Sequence, residues 1–121
     1  MPARSRNDPA VGDDALAPGP ALAHASALLT QRGFHEVARN ARGDSLYLAR
    51  GNDPGRLRLS NHARTPKQRR GHPEVLASLV IRQPRNLSQI AVIVEAALRD
   101  FAGGQRRRDQ AATGKDFTIG A

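Results

Sequence analysis

The stretch Ser45-Leu46-Tyr47-Leu48-Ala49-Arg50, then Gly51-Asn52-Asp53-Pro54-Gly55, then Arg56-Leu57-Arg58-Leu59-Ser60 decides the fold. Leucine recurs at every second position on both sides of a run of turn formers, which is the period of a half-buried strand rather than of a helix. The two runs therefore predict strands joined as an antiparallel hairpin. The same alternation sends Leu46, Leu48, Leu57 and Leu59 inward and leaves Ser45, Tyr47, Arg56 and Arg58 on the outer face.

Upstream of the hairpin, Leu22, Ala25, Leu28 and Leu29 fall on one side at helical spacing, and Pro20 suits the first helical position. Gly33 ends that helix as a left-handed residue, which sets Phe34 against Leu29 and makes Phe34 a core anchor. A weaker strand over residues 35–39 follows, with Val37 as its inward residue and a turn at 40–43.

Downstream, residues 61–73 contain no large apolar side chain but carry His62, Arg64, Lys67, Arg69, Arg70 and His72, and read as an exposed basic loop. The apolar run over 75–81 reads as a fourth strand. Asn86 caps a last helix with Gln89 at N3, and Leu87, Ile90, Val94, Ala97, Leu98 and Phe101 form its apolar face. Gly103 is expected to stop this helix. Val92 and Ile93 widen its apolar surface, which predicts either deep burial or a homodimer contact through this helix.

The order of elements predicts an α+β fold: an antiparallel three- or four-stranded sheet with two helices packed on one face, the opposite face being left to solvent or a ligand. The domain is expected over residues 21–102, with a disordered arm at 1–20 and a basic flexible tail at 103–121. The arm is rich in Pro and Gly and poor in large apolar residues, so it buries too little surface to offset its ordering entropy.

A chain of 121 residues leaves room for one such domain. It carries 19 Lys+Arg against 11 Asp+Glu, a formal charge of +8. All but two of the basic residues, Lys67 and Lys115, are arginine, which favours forked contacts to phosphate or carboxylate. Cysteine is absent, which excludes disulfides and any thiolate metal site or nucleophile. With no apolar run of spanning length and no signal-peptide core, the expectation is a cytoplasmic protein that makes no membrane contact. Net charge is −1 over residues 1–20, +3 over 21–60, +5 over 61–85 and +1 over 86–121. A polyanion is attracted most strongly to the third segment.

The segments Leu28-Leu29-Thr30-Gln31-Arg32-Gly33-Phe34, Gly43-Asp44-Ser45-Leu46-Tyr47 and Leu57-Arg58-Leu59-Ser60-Asn61-His62 resemble the HicA-type toxin domain, a compact relative of double-stranded-RNA-binding folds. In that family a helix ending in Gly-Phe leads into a three-stranded sheet, and ribonucleases of the family carry a histidine just after the Gly-Ser turn that opens the second strand. Here Leu46 follows Gly43-Asp44-Ser45. The resemblance therefore implies the fold and a nucleic-acid lineage but not the family's catalytic residue.

Tyr47, Arg56 and Arg58 on the outer face, and Arg64, Lys67, Arg69 and Arg70 in the loop, are the candidate nucleic-acid-binding residues: the tyrosine stacks on a base while the cations hold phosphates. The bland alternative is a solvated face and a solvated charge run. His62 and His72 flank the loop and are the candidate catalytic pair of a metal-independent ribonuclease, against the alternative of a histidine capping a strand end. The histidines His24, His35, His62 and His72 show no metal-ligand spacing, and no metal or cofactor is expected. The leading expectation is a non-catalytic nucleic-acid-binding accessory or regulatory module of a mobile element, with RNA or DNA as partner. The others are a phage- or plasmid-encoded inhibitor that blocks an acidic or nucleic-acid-handling surface of a host nucleic-acid-handling or defence complex, and a small metal-independent ribonuclease.

Overall fold

The computed structural model describes residues 14–120. Helix α1 (Pro18–Gln31) is followed by strands β1 (Phe34–Arg39), β2 (Ser45–Arg50) and β3 (Arg56–Ser60), a short helix α2 (Pro66–Gly71), strand β4 (Val75–Val80) and a long helix α3 (Leu87–Gly120). The fold is α+β. The strands form one sheet in the order β1-β2-β3-β4.

The hairpin forms as its alternation requires, with Leu46 opposite Leu59 and Leu48 opposite Leu57. Leu48, Leu57 and Leu59 are buried, and Leu46 packs at the margin of the core. Gly33 has a φ of +93°, and its N–H donates to Thr30 O at 3.1 Å, closing α1 in the manner the Gly-Phe pair predicts. Phe34 then enters the core, where its ring meets Phe101 of α3 edge-on at 5.1 Å. Arg50 covers its other side, with the guanidinium 4.9 Å from the ring centre.

Both long helices pack on the leucine face. Ala21, Ala25 and Leu29 of α1 and Ile90, Val94, Ala97 and Phe101 of α3 are buried with Leu48, Leu57, Leu59, Ala77 and Leu79 of the sheet. Asn86 caps α3 as its spacing predicts: Gln89 N–H donates to Asn86 Oδ1 at 2.8 Å, and Asn86 N–H to Gln89 Oε1 at 2.9 Å.

The structure corrects the expected picture at several points. The sheet is mixed rather than wholly antiparallel, because β4 runs parallel to β3, with Arg58 beside Ser78 and Leu59 beside Leu79. A parallel neighbour needs a crossover of about a dozen residues or more. Residues 61–74 supply it, and α2 lies within them, so the expected loop contains a helix. Thr65 caps α2 with Gln68 in a reciprocal pair.

Val37 points outward, 42% exposed, because a bulge between Glu36 and Ala38 shifts the register of β1 against β2. Helix α1 begins at Pro18 rather than Pro20, and Leu16 just before it exchanges backbone hydrogen bonds of 2.8 and 3.0 Å with Arg85. The remainder of the expected arm, residues 1–13, lies outside the described residues.

Helix α3 does not stop at Gly103. It runs on to Gly120, and Gly103 and Gly104 are buried within it. A Cβ on Gly104 would stand 2.8 Å from the Leu76 Cβ, so glycine here serves close approach of helix to strand rather than helix termination. One turn on, Arg108 clasps Asp53 with two hydrogen bonds of 2.8 and 3.0 Å, and Gln105 adds a third of 2.8 Å. The start of the expected tail is thereby fastened to the turn between β2 and β3.

Candidate nucleic-acid interface

The face of the sheet away from the long helices carries Ser45 and Tyr47 of β2, Arg58 and Ser60 of β3 and Ser78 of β4, brought side by side by register. This face is not left open. The parallel placement of β4 lays the crossover across it, and His62, Arg64, Gln68 and His72 from that crossover meet Asn40, Ser45, Tyr47 and Arg58 around a cleft of about 170 Å³. Five residues singled out in the sequence therefore converge: Tyr47, Arg58, His62, Arg64 and His72.

Arg58 lies at the base of this arrangement. Alternation along β3 predicts an outward, solvated arginine, yet Arg58 is only 2% exposed because the crossover covers it. Its Nη1 donates to Ser78 Oγ at 3.1 Å, and its Nε finds no partner. The Nη1 of Arg64 is likewise buried without one; among the described residues these two are the buried side-chain polar atoms left unpaired. Neither guanidinium forms an ion pair with a carboxylate among the described residues. Burial first, then the charge of Arg58, holds the Arg64 pKa below the ordinary arginine value.

No Asp or Glu lines the cleft. The nearby carboxylates are engaged elsewhere: Glu74 accepts from His72 Nδ1 at 3.2 Å, and Asp44 accepts from Asn40 and pairs with Arg42. A buried guanidinium and a half-buried one beside it, each with an unpaired N–H and no carboxylate partner, are costly in an isolated protein. Such an arrangement is matched by an anion with several acceptor oxygens.

The two imidazoles are each fixed through Nδ1. His62 Nδ1 lies 2.9 Å from Asn61 Oδ1 and 3.1 Å from Ser60 Oγ, and Ser60 Oγ is bound in turn to Ser45 Oγ at 2.8 Å. His72 Nδ1 faces Glu74. Donation from Nδ1 leaves Nε2 of each ring free to accept or, when protonated, to donate. The backbone N–H of His62 also donates to Ser60 Oγ at 3.3 Å, a contact at the end of β3 that does not depend on the imidazole.

The other sequence candidates stand apart from the cleft. Lys67, Arg69 and Arg70 lie on the exposed side of α2, where Arg69 Nη1 donates to Arg64 O at 3.0 Å. The guanidinium of Arg56 is turned back on the β2–β3 turn, its Nη1 donating to the carbonyls of Asp53, Pro54 and Gly55 at 2.9 to 3.3 Å. Arg56 nevertheless lines a second cleft of about 350 Å³ with Ala38, Tyr47, His72 and Glu74. Tyr47 and His72 are common to both clefts.

Asn40, Ser45 and Gln68 line the first cleft without having been singled out as site residues. A signal existed for Gln68, since Thr65-Pro66-Lys67-Gln68 has the capping-box spacing. None existed for Asn40, which reaches the site only because its Oδ1 accepts from Ser45 N–H at 3.1 Å across the β1–β2 turn.

No protein-family model, curated protein or solved structure matches the chain. Among the described residues, no group of three His, Asp or Glu side chains is placed to hold a metal ion, and no helix is long and apolar enough to cross a membrane.

Proposed function

We propose that this protein binds nucleic acid through the cleft between β2, β3 and the crossover. The observation that carries the reading is Arg58, a buried arginine without a carboxylate partner, set beside the half-buried Arg64, which also lacks one and has a buried, unpaired Nη1. A phosphate supplies the missing acceptors, Tyr47 offers a stacking surface at the rim, and the cations of α2 extend the attraction along a strand. This agrees with the nucleic-acid lineage that the resemblance to HicA-type and double-stranded-RNA-binding domains implies. An accessory or regulatory module of a mobile element is the biological setting we favour.

The test is a fluorescence titration of single- and double-stranded RNA and DNA at two salt concentrations. Binding should weaken steeply with salt, and Arg64→Ala should lower affinity by about tenfold or more, the loss of a charge-assisted contact. Absence of binding at low salt would refute the reading and direct attention to an acidic protein surface as the partner.

A second reading, a metal-independent ribonuclease, is favoured by one specific observation: His62 and His72 line the same cleft, each with Nδ1 engaged. One ring would accept the 2′-hydroxyl proton while the other protonates the leaving oxygen. Cleavage of RNA by the wild type in the presence of a chelator, lost in either His62→Ala or His72→Ala, would establish it.

A further inference from the structure

The balance of charge in the cleft bears on which phosphate it takes, an argument that rests on the nucleic-acid reading above. Arg58 and Arg64 bring two positive charges, and the remaining lining is Asn40, Ser45, Tyr47, Gln68 and two imidazoles, with no carboxylate. An internal phosphodiester carries one negative charge and would leave one guanidinium uncompensated where its N–H is buried. A phosphomonoester carries about −1.5 to −2 at neutral pH and presents three strong acceptor oxygens. It matches the charge of both cations, and both guanidinium-bearing residues line the cleft that would hold it.

Shape points the same way. The cleft of about 170 Å³ is the smaller of the two and opens to solvent, so a phosphate group seated in it can leave the rest of a strand outside. The adjoining cleft of about 350 Å³ is larger, shares the Tyr47 and His72 walls, and holds no unpaired guanidinium, since that of Arg56 is bound to the carbonyls of the β2–β3 turn. We propose that the two clefts together receive the phosphorylated end of a nucleic-acid strand, its terminal phosphomonoester between Arg58 and Arg64 and its terminal base against Tyr47.

The experiment compares one short oligonucleotide sequence with a 5′-phosphate, a 3′-phosphate or hydroxyls at both ends, alongside a nucleoside monophosphate and inorganic phosphate. One phosphorylated oligonucleotide should bind about tenfold or more tighter than the hydroxyl-ended strand, as expected for a charge-assisted contact. That advantage should vanish in Arg64→Gln, with folding checked by circular dichroism, and persist in Arg99→Ala, an exposed arginine of α3 that lines neither cleft. Tyr47→Ala should weaken the phosphorylated oligonucleotide while leaving inorganic phosphate unaffected. Equal affinity for hydroxyl-ended and phosphorylated strands, with both weakened by Arg64→Gln, overturns the end-recognition proposal and leaves the nucleic-acid reading standing. Inorganic phosphate or the mononucleotide binding as tightly as the phosphorylated strand overturns it too, making a small phosphate the ligand. Failure of every strand to bind removes both.

Discussion

Replacing Arg58 by methionine should make the isolated protein more stable while removing its affinity for nucleic acid. The side chain is 2% exposed, has one hydrogen bond, to Ser78 Oγ, and has no carboxylate partner. Replacing even a buried ion pair by apolar residues of similar volume is often neutral or stabilising by about 1–4 kcal/mol, and Arg58 lacks the partner charge that offsets desolvation in such a pair. Loss of the bond to Ser78 offsets about 0.5–1.5 kcal/mol of this. A net gain of about 1–2 kcal/mol remains, which for a domain of this size raises the melting temperature by roughly 4–8 °C. Urea melts at neutral pH provide the measurement, with the midpoint rising at an unchanged slope. Addition of an oligonucleotide at about 100 times its Kd should then stabilise the wild type by about 2.7 kcal/mol and leave Arg58→Met unmoved, so that the order of the two proteins reverses. If Arg58→Met instead melts well below the wild type and binds as the wild type does, Arg58 is a structural residue and the reasoning fails.

Phe101→Ala should destabilise by roughly 3–5 kcal/mol in the same melts, because Phe101 is buried and meets the Phe34 ring edge-on; the exposed Arg99→Ala should cost far less. Gly104→Ala should destabilise by about 1–3 kcal/mol despite the better helix propensity of alanine, since its Cβ would press on Leu76; a stabilised variant would show that α3 does not pack there. The hydrogen bonds from Arg108 hold the Asp53 pKa well below its ordinary value. The stability it contributes is thus fully present above the unfolded-state value of about 4 and lost as pH falls toward the folded-state value, so melting temperatures of wild type and Asp53→Asn should differ at pH 7 and converge in strong acid. Combined replacement of Arg64, Lys67, Arg69 and Arg70 by alanine should flatten the salt dependence of nucleic-acid binding with little change in fold stability, read by titration at several salt concentrations.

Elements governed by local chemistry were legible in the sequence. Alternating leucines around Asn52-Asp53-Pro54-Gly55 specify a hairpin whatever lies nearby, the Gly33-Phe34 pair closes α1, and Asn86 with Gln89 opens α3. Features that depend on distant partners were not legible. Gly103-Gly104 reads locally as a helix stop, but α3 continues because contacts from Leu76 and Asp53 hold the segment beyond the glycines. Val37 reads as an inward strand residue until a bulge, invisible in composition, turns it to solvent.

The same distinction explains why the site residues could be picked out but not assembled. Tyr47, Arg58, His62, Arg64 and His72 each stand out by residue type, yet His62 and His72 flank a segment whose path is not encoded in its own residues. The hydrogen-bonding order of β4 sets that path. Had β4 joined the sheet antiparallel beside β3, a short loop would have sufficed and Arg58 would face water, where an unpaired arginine costs almost nothing. Parallel pairing forces a long connection, and that connection crosses the polar face because the long helices already occupy the other. Burial of Arg58 is therefore a consequence of topology. Under the proposed function, the free energy it costs in the unliganded protein would become available as binding free energy once an anion supplied the absent charge.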